Sequence, residues 1–189
     1  MKFGKIEHFI VLGGSLITLY FLKYLKKNKI KFDYFTNKRQ LDDILINSKS
    51  LLENLKLNSI NYNISKDIND DSKIKKIITK NSMAIGFGQP WPIKTTLLKR
   101  FKGKIVDFMG IPLPQYRGGA HYSWMILNDN RDGGCFLQNI NNNTLQSISD
   151  SGYFYMDYKY VYPKSLKIPK DYFKYSFKLL IKLNQMIST

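Results

Sequence analysis

Three observations predict a doubly wound, mainly parallel α/β sheet for this 189-residue chain. Short apolar runs that read as strands alternate with segments of helical period. The connections between them are brief, which favours parallel strands joined by crossover helices. The first apolar run also enters a tight Gly13-Gly14-Ser15 turn just before a helix, as strand-to-helix turns in such sheets do. With 43% hydrophobic residues the chain can fill a core, and its length suits one domain over residues 1–189.

The elements follow in order. His8 to Leu12 is the first strand, and Ser15 is placed to cap the helix after it. Leu16, Leu19, Tyr20, Leu22 and Leu25 recur at helical spacing before a lysine-rich exit, and Ile30 to Phe35 reads as a second, parallel strand. Asp42 to Leu57 has the period of a second helix, Ser59 to Ile64 reads as a third strand, Asp70 to Thr79 as a short helix and Met83 to Phe87 as a fourth strand. After Pro90-Trp91-Pro92, a helix over Ile93 to Phe101 ends at Gly103 and a fifth strand covers Lys104 to Met109. A loop rich in Pro and Gly spans Gly110 to Gly119. It precedes a helix from Ala120 to Asn128, a strand near Cys135 to Ile140, a strand from Tyr153 to Tyr162 and a final helix from Tyr172 to Met186. The whole is Rossmann-like.

Lys plus Arg number 30 against 14 Asp plus Glu, a formal charge of +16. Arg39, Arg100, Arg117 and Arg131 are the only arginines, so 30 − 4 = 26 of the cations are lysines. A nucleic-acid site more often concentrates Arg for bidentate contacts, so a basic RNA-binding protein is possible but not favoured. The lysines read as a solvated face, or, at Lys73 to Lys76 and Lys94 to Lys104, as an attractor of an anionic small molecule. Neither the single Cys135 nor the two histidines can build a disulfide or a structural zinc site, so no metal is expected and a reducing cytoplasm fits best. The apolar run Phe9 to Leu22 is broken by Gly13, Gly14 and Ser15 and ends at Lys23, so neither a membrane span nor a signal peptide is expected.

Candidate site residues gather after the fourth and fifth strands. Gly13-Gly14-Ser15 lacks the full dinucleotide fingerprint and reads first as a turn with a cap. Phe87, Gly88, Gln89, Pro90 and Trp91 combine backbone freedom with two aromatic faces, which suits a flat heterocycle or, equally, a core. The loop residues Gln115, Tyr116, Arg117 and Gly118 put a fixed cation beside a Gly pair, fit for an anion or carbonyl contact or for a salt bridge. His121, at a helix start, could carry a proton or pack as a polar residue. Asp150, in Asp150-Ser151-Gly152, could be a general base or simply a turn residue. Cys135 reads as a buried structural thiol and His8 as a strand-end residue without catalytic work.

The run from Gly86 to Ile140, together with Ser149 to Met156, resembles the formyltransferases that use 10-formyltetrahydrofolate. Their pattern is a Gly-containing strand end, a helix, a strand, a Leu-Pro-x-Tyr/Trp-Arg-Gly loop, a Trp-bearing helix, a Gly-led strand and Asp-x-Gly. Phe87 to Gln89, Leu113 to Gly118, Trp124, Gly134 and Asp150 to Gly152 match it in order, so the resemblance spans about Met83 to Met156. The first eighty residues match only in pattern.

The resemblance implies the Rossmann-like formyltransferase fold. It also implies 10-formyltetrahydrofolate as donor near Phe87 to Trp91 and Met109, and an amine acceptor near Gln115 to Gly118. In the family an Asn-x-His pair and an Asp stabilise the oxyanion and move the proton. Here Asp107 stands in place of the Asn and Met109 in place of the His, leaving Asp150 as the matching Asp. Three outcomes stay open: Asp150, Asp107 and His121 share the proton work, a protonated Asp107 acts as donor, or the domain only binds folate or nucleotide. The absence of the extra domain of the tRNA enzymes and the lysine excess point to a small anionic acceptor, a nucleotide-linked amino sugar first.

Overall fold

The computed structural model describes residues 3–109, 121–140, 153–161, 164, 167–169 and 171–172. Their strands are β1 (His8–Gly13), β2 (Phe32–Thr36), β3 (Ile44–Ile46), β4 (Lys49–Ser50), β5 (Asn63–Ile64), β6 (Ser82–Phe87), β7 (Ile105–Met109), β8 (Asp132–Asn139) and β9 (Tyr153–Val161). The helices are α1 (Leu16–Lys27), α2 (Lys38–Leu41), α3 (Leu51–Leu57), α4 (Ser72–Ile77), α5 (Thr95–Phe101) and α6 (His121–Leu127). Seven strands form one sheet in the order β5-β2-β1-β6-β7-β8-β9. It is parallel from β5 to β7, and β8 and β9 extend it antiparallel. The mainly parallel, helix-flanked sheet expected from the sequence is therefore the observed one.

Every residue of β1 is buried, because this central strand is covered on both sides. Phe9 and Val11 join Met83, Ile85, Val106 and Phe108 under α1 and α3. Ile10 and Leu12 join Ala84, Ile105 and the α4 and α5 residues Ile74, Leu97 and Phe101 on the other face. Period-2 alternation thus sends neighbouring apolar residues into two separate cores.

Ser15 caps α1 as expected: its hydroxyl accepts the Thr18 N–H while Thr18 Oγ1 accepts the Ser15 N–H. At the far end Lys29 adopts φ 55°, and the Ile30 N–H donates to Leu25 O at 2.9 Å. The left-handed turn absorbs Ile30 and Lys31, so β2 begins at Phe32 rather than at Ile30. The same device, with Ser59 at φ 47° and the Ile60 N–H on Leu55 O, closes α3. It shortens the expected third strand to Asn63–Ile64.

The expected helix from Asp42 to Leu57 is corrected. Residues 44–50 form a β3–β4 hairpin whose two turn residues, Asn47 and Ser48, both take positive φ, 51° and 57°. Successive left-handed residues make the hairpin turn that matches strand twist, and Asn accepts such φ at little cost. The helix starts only at Leu51, where Ser50 and Glu53 form a reciprocal capping box. The expected final helix lies outside the described residues beyond Tyr172.

His8 is buried at the amino end of β1, away from the strand ends where a ligand cleft forms. Its Nε2 is 2.9 Å from Asp33 Oδ2 and its Nδ1 3.2 Å from Ser82 Oγ. A neutral ring donating to Asp33 and accepting from Ser82 satisfies all three groups. Burial holds the His8 pKa below the usual histidine value, outweighing the pull of Asp33. The unfolded chain therefore takes up this proton at higher pH than the native one, so the stability contribution is full above about pH 6.5 and is lost as pH falls below it. His8→Ala should cost about 1–3 kcal/mol at pH 8, by taking the ring partner from Asp33 while Ser82 keeps only Thr79, and should weaken the acid limb of the stability profile. Urea melts of both proteins from pH 5 to pH 8 check this.

Candidate functional site at the strand ends

The strand order reverses between β1 and β6, where the chain runs outward to β2 and β5 and then returns on the other side of β1. The carboxyl ends at such a switch point diverge and leave a crevice. Here those ends are Gly13, Phe87 and Met109.

Two glycines let the backbone close up at this crevice. Gly13 has φ +114°, and a Cβ there would lie 2.4 Å from the Phe87 carbonyl oxygen. Gly86 pairs with Asp107 across β6 and β7. A Cβ on Gly86 would lie 2.4 Å from Asp107 Oδ1 and 3.0 Å from Gln89 Cγ. The hydroxyl of the fully enclosed Tyr34 donates to Gly13 O at 2.8 Å, and burial raises its pKa.

The segment after β6 is held from several sides. Gln40 Nε2 donates to Gly88 O at 3.1 Å, while Thr36 Oγ1 donates to Gln40 Oε1 at 3.3 Å. The Trp91 N–H donates to Gln89 Oε1, and the indole Nε1 donates to Lys66 O at 3.0 Å. Asn69, almost wholly buried, donates to Pro92 O at 2.9 Å and accepts from the Lys94 N–H at 2.8 Å. A loop so tied keeps its backbone groups in place before any ligand arrives.

One expectation changes here. The rings of Phe87 and Trp91 are core, not ligand faces. Phe87 lies 5.2 Å from Phe21 and 5.7 Å from Phe108, centroid to centroid, and Trp91 packs in the opposite core. What residues 87–91 can present to a ligand is backbone, the Gln89 amide and the exposed Pro90 ring.

Asp107 is the chemically unusual member. Its Oδ1 is one of two buried side-chain oxygens without a hydrogen-bond partner among the described residues, the other being Asn139 Oδ1. Enclosure of this oxygen, with no counter-charge beside it among the described residues, favours the protonated acid, and burial pushes the Asp107 pKa up to about 7. A protonated carboxyl is a hydrogen-bond donor, which an ionised one is not.

Met109 ends β7, paired with Phe136, and His121 opens α6. Asp150 and the loop residues Gln115, Tyr116, Arg117 and Gly118 lie outside the described residues. Cys135 is on β8, opposite Tyr158. Of the lysines read as an anion attractor, Lys73 donates to Asn63 Oδ1, Lys104 donates to Lys80 O and Lys94 pairs with Asp67. Among the described residues there is no metal-binding cluster and no helix long and apolar enough to cross a membrane.

Sequence reasoning passed over Gln40 and Asn69. Both act on backbone far along the chain, and the only local sign was the Asn37 cap that turns Gln40 inward, its Oδ1 accepting the Gln40 N–H.

No family model and no curated protein matches the sequence. Solved structures do match the fold. Glycinamide ribonucleotide transformylase 1 from Geobacillus kaustophilus has TM-score 0.67 and 12% identity, with 97% of this chain and 100% of that one covered. A sugar 3N-formyl transferase, solved in the presence of dTDP and 5-N-formyl-THF, has TM-score 0.62 and 20% identity over 98% of this chain and 64% of its own. A formyltetrahydrofolate deformylase from Pseudomonas putida KT2440 has TM-score 0.64 and 14% identity, covering 100% of this chain and 66% of its own. The likeness takes in the first eighty residues, which the sequence matched only in pattern. The chain has the mainly parallel, Rossmann-like fold of the formyltransferases.

Proposed function

We propose that the chain is an enzyme that moves a formyl group from 10-formyltetrahydrofolate to the amine of a small anionic acceptor, a nucleotide-linked amino sugar first. One catalytic domain over residues 1–189 carries the reaction. The observation that supports this most is the buried Asp107 Oδ1 over Gly86 at the strand-end crevice, which has no hydrogen-bond partner among the described residues. Such an orphan at a site wall is matched by a ligand that brings its own polar atom.

The donor fits this crevice on one count: the buried Asp107 Oδ1 has no hydrogen-bond partner among the described residues and is free to meet a polar atom of a ligand. Bound there, the formylfolate supplies an electrophilic formyl carbon. Residues 87–91, through backbone and Gln89, and Met109 hold it, and Gln115, Tyr116, Arg117 and Gly118 hold the acceptor.

Formyl transfer to nitrogen loads negative charge on the carbonyl oxygen and leaves a proton to be removed from the amine. Asp107, protonated up to about pH 7, donates to that oxygen. An ionised Asp107 would repel it. Asp150 and His121 share the removal of the amine proton and its delivery to N10 of the folate, so that the formyl C–N10 bond breaks and tetrahydrofolate leaves as the new C–N bond is made. The lysine excess and the sugar 3N-formyl transferase among the fold neighbours support a nucleotide-sugar amine as acceptor.

The replacement of Asn and His by Asp107 and Met109 favours a second reading, a module that binds folate or nucleotide without turnover. The test is the release of tetrahydrofolate from 10-formyltetrahydrofolate, with and without a dTDP-linked 3-amino sugar. Release that depends on the amino sugar, and that falls by about 10²-fold or more in Asp150→Ala, is the expected result. Folate binding without release, across a panel of amines, leaves the binding module.

A further inference from the structure

β5 pairs only with Phe35 and Thr36, so the first half of β2, Phe32 to Tyr34, is paired with β1 on one side and is a sheet edge on the other. A cavity of about 700 Å³ opens at this edge, between the ends of α1 and α3, the chain leading into β5, and the start of α4. Its volume is that of a small-molecule site, which runs from about 300 to 1,000 Å³. β2 and β7 are separated by β1 and β6, so the cavity is remote from Asp107.

The floor is apolar and fixed: Tyr34, Leu55 and Ile60 belong to the core. Phe32 and Tyr62 are half-buried, packed against that core with part of each ring left open. Three lysines line the same space: Lys26, Lys56 and Lys73. Lys26 Nζ donates to Asn58 O at 2.7 Å and to Ser59 O at 2.8 Å, and Lys73 Nζ donates to Asn63 Oδ1 at 2.5 Å. Neutral oxygens hold these ammonium groups in place without cancelling their charge. Among the described lining residues the single carboxylate is Asp33, and its Oδ2 is taken by His8 Nε2. Positive charge therefore exceeds negative charge beside two open rings.

We infer that this cavity is a second ligand site, for a nucleoside phosphate. The base lies against Phe32 and Tyr62, and the phosphates reach Lys56 and Lys73. Ring contact and charge are both required, since rings alone would take any apolar molecule and lysines alone any anion. The inference does not rest on formyl transfer.

The experiment is calorimetric titration of the full chain at low salt with ADP, and separately with pyrophosphate and with adenosine. ADP is expected to bind at sub-millimolar strength, more tightly than either fragment, and to weaken as salt is raised. Lys56→Glu with Lys73→Glu should weaken ADP by at least about tenfold, an effect of the size that charge-assisted contacts to phosphate give. Tyr62→Ala should weaken ADP and adenosine while leaving pyrophosphate unchanged. Asp107→Asn should leave all three unchanged. The lysines are on the surface, and circular dichroism confirms that the variants are folded. No ADP binding, binding indifferent to the lysine and tyrosine changes, or binding lost in Asp107→Asn would each overturn the inference, the last by placing the nucleotide in the strand-end crevice.

Discussion

Asp107→Asn is expected to stabilise the protein at pH 8 and to remove a fall in activity above neutrality. The Asp107 pKa is raised by burial from 3.8 to about 7. Between those values the native chain keeps a proton that the unfolded chain has released. The group's contribution is therefore full below about pH 4 and is lost as pH climbs towards 7, at about 1.36 kcal/mol for each unit of difference. Asparagine is nearly the same shape, is neutral throughout and keeps a donor. Its stability advantage over wild type should grow by about 2–4 kcal/mol between pH 4 and pH 8, as read from paired urea melts. In the transfer assay, wild-type kcat should drop as the carboxyl ionises, because the oxyanion loses its donor, whereas the variant's profile stays level on that limb. An unchanged profile in Asp107→Asn would remove Asp107 from the chemistry.

The second large effect belongs to Gly86→Ala. The new methyl would lie 2.4 Å from Asp107 Oδ1 and 3.0 Å from Gln89 Cγ, so the carboxyl must turn out of its place. The overpacking should cost about 1–3 kcal/mol of stability. The loss in kcat/KM should be larger, about 10²-fold, because a displaced donor no longer meets the developing charge. Gly103 is the control. It precedes β7 at the end away from the crevice and has φ +78° with nothing within 4 Å of an added Cβ, and asparagine tolerates that conformation, so Gly103→Asn should change stability by less than about 1 kcal/mol and leave kcat/KM near wild type. Equal losses at both positions would mean that general backbone strain, rather than the carboxyl's position, sets activity.

The central sheet was legible because its strands are read locally. β1 is an unbroken apolar run, α1 repeats leucines along one face and Ser15 marks the junction between them. The β3–β4 hairpin was not legible. Leu45, Leu51, Leu52 and Leu55 keep an apolar spacing that imitates one helix, and the turn is made by Asn47 and Ser48 without a glycine. The Ser50 and Glu53 capping box was the available sign that a helix starts at Leu51 rather than at Asp42. Late strand starts at Phe32 and Asn63 had the same kind of cause, left-handed turns at Lys29 and Ser59, where no glycine marks the turn.

At the site, the sequence named Asp107 through a resemblance but carried no sign that its oxygen lacks a partner. That property belongs to packing, set by the absent side chain at Gly86 on a neighbouring strand. Gln40 bonds Gly88, and Asn69 bonds Pro92, across long stretches of chain, so neither could be read from local spacing. The aromatic pair at Phe87 and Trp91 misled in the opposite direction. Both rings flank Gly88 and Pro90 in the sequence, yet both point into cores.

The most direct test of the central claim is a calorimetric titration of the folded chain with 5-formyltetrahydrofolate, a stable analogue of the donor, run in parallel on Gly86→Ala. A crevice built around Gly86 and Asp107 predicts micromolar binding to wild type, weakened by about tenfold or more in the variant, a loss of about 1.4 kcal/mol. Absence of binding to wild-type protein that is demonstrably folded, or equal binding by both proteins, would contradict it.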